Sequence, residues 1–127
     1  RAVAAVTTTT EEKADEKAEC EGSTSEESEC IAVHLGLAEA ELKVLFESLQ
    51  KRLTDDSKSR DTLTRITAIE VGKRLERAQK SWVQFRQNDC SLESAEMLGG
   101  NREDLSFNSC LLERTRERIR VLKELAI

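Results

Sequence analysis

The chain has 127 residues, 38% of them hydrophobic and 35% charged, with no proline, three phenylalanines and one tryptophan. That length fits one domain with a tail, and that balance suits amphipathic helices while excluding a β-sandwich, which needs aromatic and β-branched runs between turn residues. The net charge of −5 is uneven: residues 1–30 hold nine acids and three bases, a balance of −6 that leaves +1 for the rest, so no basic face marks a nucleic-acid binder.

Residues 1–22 read as a flexible acidic N-terminal arm, because the Thr7–Thr10 run and the Glu/Lys/Ala stretch after it offer almost nothing to bury. Such an arm steers a basic protein partner toward the domain or simply solubilises it. The chain begins at Arg1, as expected where a signal peptide or a lipid-anchoring leader has been removed. No apolar run reaches the roughly 18 residues that a membrane-spanning helix needs.

The helical domain is predicted over residues 23–127. Ser23-x-x-Glu26 and Thr24-x-x-Glu27 both match a capping box, in which a hydroxyl and a carboxylate satisfy orphan amides at a helix start. The first helix follows from near Glu26. Its seam is Ile31, Leu35, Ala38, Leu42, Leu45 and Leu49, spaced by fours and threes, and Leu53 ends the pattern. Thr54–Ser59 is a polar link. A second helical region runs from about Asp61 to Leu98, with Leu75, Ala78, Trp82, Phe85 and Asp89 assigned to one face. Its pattern slips around Ile69–Gly72, where glycine weakens a helix by roughly 1 kcal/mol, so a kink or a break is expected there. Gly99-Gly100-Asn101 is a stop signal. The third helix, about Leu105 to Leu125, turns Leu111, Thr115, Ile119, Leu122 and Leu125 inward. Short links between three such helices imply an antiparallel, up-down-up bundle.

Four cysteines, Cys20, Cys30, Cys90 and Cys110, form no CxxC pair, and His34 does not complete a zinc site with them. Two disulfides are therefore expected, which places the protein in the periplasm or outside the cell. The up-down-up topology gathers all four at one end. Cys90 and Cys110 flank the 99–104 loop at nearly level positions, which favours Cys90–Cys110 with Cys20–Cys30, although both crossed pairings fit the same clustering.

The segment from Ala78 to Cys90, AQKSWVQFRQNDC, resembles the AQ-x-x-W-x-x-[YF]-R-x-x-x-C signature of the lysozyme inhibitor LprI-like family. Gly99-Gly100 followed by Cys110-x4-Thr115-x2-Arg118-x3-Leu122 is similar to that family's closing segment, and Cys30 with Glu39–Phe46 resembles its D-x-x-L-N-x-x-Y stretch. The likeness covers about residues 20–122. Glu39, Lys43, Phe46 and Gln87 depart from the pattern, standing where Asp, Asn, Tyr and Asp are usual. The resemblance implies an all-α domain that binds a protein and inhibits lysozyme or a related peptidoglycan hydrolase.

The residues themselves show no nucleophile–base arrangement, phosphate-cradling loop or EF-hand spacing, so no enzyme activity, cofactor or metal is expected. Trp82 reads as a core anchor, with Phe85, Arg86, Thr115 and Arg118 as structural companions. Arg86, one turn after Trp82, is expected to stack on it or to pair with Asp89 or Glu93. Arg118 joins the same polar cluster from the third helix. The candidate partner-binding residues are Glu93, Glu96, Asn101, Arg102, Glu103 and Asp104, because a loop braced between linked helices loses little entropy on binding. A basic lysozyme or another peptidoglycan hydrolase is the expected partner, with blockage of its substrate cleft as the mechanism. The alternatives are a periplasmic immunity or adaptor protein for a dedicated toxin or secretion partner, and a structural envelope protein.

Overall fold

A computed structural model describes residues 20–100 and 102–125. The expectation of a flexible arm falls almost entirely outside that range. Three helices form the fold: α1 (Thr24–Asp56), α2 (Thr62–Ser94) and α3 (Glu103–Lys123), with a 3-10 turn at Ala95–Met97 between the last two. No strand occurs among the described residues.

Of the two capping boxes offered by the sequence, the chain uses the first. Ser23 Oγ accepts from the Glu26 amide at 3.2 Å, and the Glu26 carboxylate accepts from the Ser23 amide at 3.4 Å. Asp61 starts α2, its carboxylate accepting from the Thr64 amide at 2.9 Å and the Thr64 hydroxyl at 2.7 Å. These bonds to the ionised form hold Asp61 below its ordinary carboxylate value of 3.8.

Cross-helix pairs fix the directions. Thr24 meets Arg102 and Glu41 meets Lys123, so α1 and α3 run parallel. Gln79 meets Arg118 and Asp89 meets Arg114, so α2 runs against α3. This is the up-down-up bundle with both disulfides at one end, and they pair Cys20–Cys30 and Cys90–Cys110. The core is the aliphatic seam of α1 against Ala68, Leu75 and Cys90 of α2 and Leu105, Leu111, Leu112, Ile119 and Leu122 of α3. Leu112, Leu122, Thr115 and Cys90 are the most deeply enclosed.

Three expectations need correction. Gly72 does not break α2, which is continuous through it; a Cβ there would meet open space, so the position bears only the local cost of glycine. Ala78 and Phe85 are exposed, Phe85 to 59%, and the inward face of α2 runs instead through Leu75, Trp82, Arg86 and Cys90. Leu125 lies beyond the end of α3 and is 39% exposed, because the helix stops at Lys123.

Candidate protein-binding site

The start of α1, the end of α2 and the start of α3 converge at the cysteine end. Cys90 and Cys110 are buried, and their bond sets the two Cα atoms 5.5 Å apart on either side of the connecting turn. That turn is further pinned by its own hydrogen bonds. The Leu98 amide donates to the Ala95 carbonyl and the Gly100 amide to the Met97 carbonyl, while the Gly99 amide donates to the Glu103 carboxylate at 3.1 Å. Gly99 has φ +79°, a backbone state that disfavours side chains carrying a Cβ. From the α3 side Arg102 donates to Thr24 Oγ1 at 3.3 Å and lies 3.9 Å from Glu27, tying the turn to the first turn of α1.

What the turn presents is mixed in character. Leu92, Met97 and Leu98 are exposed to 74%, 44% and 76%. Glu96 and Asp104 of the same 92–104 segment are exposed as well. Of the six residues expected at a partner surface, Glu93, Arg102 and Glu103 are engaged within the molecule, Glu93 through Arg114 at 3.4 Å. The Glu96 and Asp104 side chains make no hydrogen bond or ion pair with another described residue, and Asn101 lies outside the described residues. The apolar part of the tip, Leu92, Met97 and Leu98, was not singled out from the sequence, which pointed only to the polar residues of this segment.

Below this tip lies a polar layer built on Trp82. Arg86 is buried, donating to Glu39 Oε2 at 3.1 Å and Thr115 Oγ1 at 2.9 Å, so one guanidinium joins all three helices. Thr115 Oγ1 in turn donates to the Leu111 carbonyl at 2.7 Å. The guanidinium carbons of Arg86 and Arg118 lie 5.1 and 5.7 Å from the Trp82 ring centroid, both within cation–π range. Arg118 also donates to Gln79 Oε1 at 3.0 Å, and burial pushes its pKa down. Arg86 therefore stacks on Trp82 as expected, but its carboxylate partner is Glu39. Asp89 and Glu93 are taken by Arg114, at 2.7 and 3.4 Å, and the Asp89 bond is the main cause that raises the pKa of Arg114. Glu39, one of the departures from the LprI-like pattern, thus keeps a carboxylate facing this arginine.

Metal chemistry finds one cluster among the described residues. Cys20, Cys30 and His34 place their donor atoms within 4.8 Å of one another, but the two sulfurs are bonded to each other and offer no thiolate. Among the described residues no helix is long and apolar enough to cross a membrane.

Comparison with known proteins agrees with this architecture. A crystal structure of a DUF1311 family protein from Pseudomonas putida KT2440 is 31% identical in sequence and superposes with a TM-score of 0.61, over 84% of this chain and 94% of that one. A stretch of 51 residues is 41% identical to an uncharacterised protein of Rhizobium meliloti (strain 1021), covering 40% of this chain but only 37% of that relative's length. The family model described as lysozyme inhibitor LprI matches residues 14–122, and the chain belongs to that family.

Proposed function

We propose that this chain is a secreted or periplasmic binding protein that inhibits lysozyme or a related peptidoglycan hydrolase, with no catalytic activity of its own. Its family supplies the target class, and two disulfides suit an oxidising compartment. The docking element is the 92–104 end. The observation that carries this assignment is the exposed Leu92–Met97–Leu98 tip, flanked by Glu96 and Asp104 and held by the Cys90–Cys110 bond. An apolar tip with acidic flanks suits insertion into the cleft of a basic hydrolase, and its bracing limits the entropy lost on docking. The surplus acid in residues 1–30 accelerates encounter with such a partner and makes it salt-sensitive.

The test is lysis of peptidoglycan by chicken-type and goose-type lysozymes, with and without excess oxidised protein, at low and moderate salt. Inhibition that weakens with salt is the expected result. Full lysis by both enzymes would sink the lysozyme assignment. A dedicated toxin or secretion partner would then be sought by pull-down from envelope extract.

A further inference from the structure

Helix α1 carries a second apolar stripe that its own fold does not use. Val33, Leu37 and Val44 are exposed to 62%, 64% and 67%, and Ala40 is exposed between them. Their spacing of four, three and four residues is that of a helix–helix seam. At 100° per residue the stripe falls almost opposite Ile31, Leu35, Ala38 and Leu42, the buried seam, so α1 is apolar on both sides.

Gly36 lies beside this stripe. A glycine in mid-helix weakens the helix, and nothing within 4 Å would meet a Cβ at this position, so the monomer gives no packing reason for it. Close approach of another helix backbone supplies one. The register of the stripe then says which helix. Laid antiparallel across a two-fold axis between residues 38 and 39, two copies of α1 set Val33 against Val44 and Leu37 against the small Ala40. The same register sets Glu26 against Lys51, which lie on the same side of the helix at the two ends of the stripe. Both are exposed, and the bonds they make within the monomer are surface ones to Ser23 and Asp55. A parallel pair would instead oppose Glu26 to Glu26 and Lys51 to Lys51, placing like charges together.

We infer that the outer face of α1, from Glu26 to Lys51 through Val33, Leu37, Ala40 and Val44, is a docking surface for a second copy of this chain in antiparallel orientation. The interface is isologous, as a two-fold pair requires. It is independent of the inhibitory reading. One helix pair of this length falls at the small end of specific interfaces, so association is expected at micromolar concentration. The two 92–104 tips then face away from each other at opposite ends of the dimer.

Sedimentation equilibrium of the oxidised full chain, from about 1 to 300 μM, tests this. Wild type should pass from monomer to dimer across the range. Leu37→Glu should raise the dissociation constant at least tenfold, and Gly36→Leu should do the same while keeping or raising the thermal midpoint of the monomer. Lys51→Glu should weaken the dimer several-fold at low salt and less at high salt, since it sets an acid against the second copy's Glu26. Wild type that stays monomeric throughout overturns the inference. So does a dimer that survives Leu37→Glu, because it would use another face. Loss of association in Leu37→Glu without any effect of Lys51→Glu overturns the antiparallel register.

Discussion

At the cysteine end three helices meet and are joined by two disulfides, a guanidinium that reaches all of them, and a turn hydrogen-bonded to the helix that follows it. At the other end α3 has stopped beside Glu41, and only α1 and α2 continue as a hairpin. That hairpin buries Leu49, Leu53 and Ala68, leaves Leu63 and Ile66 largely exposed, and closes its linker with the Arg65 guanidinium donating to the Ser59 carbonyl at 3.0 Å. Aliphatic contact with a few local polar bonds holds one end, whereas disulfides and cross-helix charged links hold the other. The contrast says where the chain invests its rigidity: at the end with the exposed apolar tip, which a docking role needs kept in one shape.

The comparison breaks most sharply if the Cys90–Cys110 bond is removed. A link between residues 20 apart in sequence contributes about 3 kcal/mol in the chain-entropy account. Cys90→Ser with Cys110→Ser should therefore lose about that much stability in chemical denaturation, and amides of the 95–100 turn should exchange faster than those around Leu53. Removal of Cys20–Cys30, which closes a loop half as long, should cost roughly half a kcal/mol less. Equal exchange at both ends in the Cys90/Cys110 variant would deny that the bond braces the tip.

Next in size is Arg86→Ala. It takes away packing on Trp82, the bond to Thr115 and the pair with Glu39. Because the Glu39 side chain is 46% exposed and rehydrates readily, the expected loss is about 2 kcal/mol rather than that of a fully buried pair. Denaturant titration measures it, and the Trp82 fluorescence should shift with the loss of its stacked cation. A variant as stable as wild type would remove the three-helix junction from the account.

The smallest effect belongs to the hairpin end, at Asp61. Its folded pKa is depressed, chiefly by the Thr64 hydroxyl and then by the Thr64 amide. The cap's contribution is thus present above the ordinary value of 3.8 and is lost as pH falls through the lower folded value. The thermal midpoint of Asp61→Ala should lie below wild type near neutrality and converge with it at acid pH. A gap that persists unchanged at low pH would contradict the ionised cap.

Much of this architecture was legible because its signals are local. Ser23 with Glu26, Asp61, and Gly99 with Gly100 carry their boundaries in their own side chains or lack of them. The level positions of Cys90 and Cys110 favoured the pairing that the fold adopts. The inward face of α2 was not legible. Arg86 reads as a companion of Trp82 with Asp89 or Glu93 as its carboxylate, and Phe85 as a core residue, whereas Glu39, 47 residues earlier in the chain, supplies the carboxylate that makes burial of the guanidinium tolerable. Placing Arg86 inside turns Phe85 and Ala78 outward. The candidate site was half visible. Its polar residues could be named, but which of them are spent on intramolecular bonds depends for Glu93 and Arg102 on contacts with α3 and α1 that spacing does not encode, and for Glu103 on the turn that brings the Gly99 amide to it.

The most direct measurement compares two variants at opposite ends, by the concentration of each needed to halve lysozyme-driven lysis at low salt. Leu98→Asp combined with Glu96→Lys and Asp104→Lys alters the braced tip, while Leu63→Asp alters the hairpin end, and all four positions are exposed. The account predicts at least a tenfold loss of inhibition for the tip variant, as removal of a central docking residue typically costs, and wild-type inhibition for the hairpin variant. Equal inhibition by the two, or loss confined to the hairpin variant, would contradict the assignment of the braced end as the docking site.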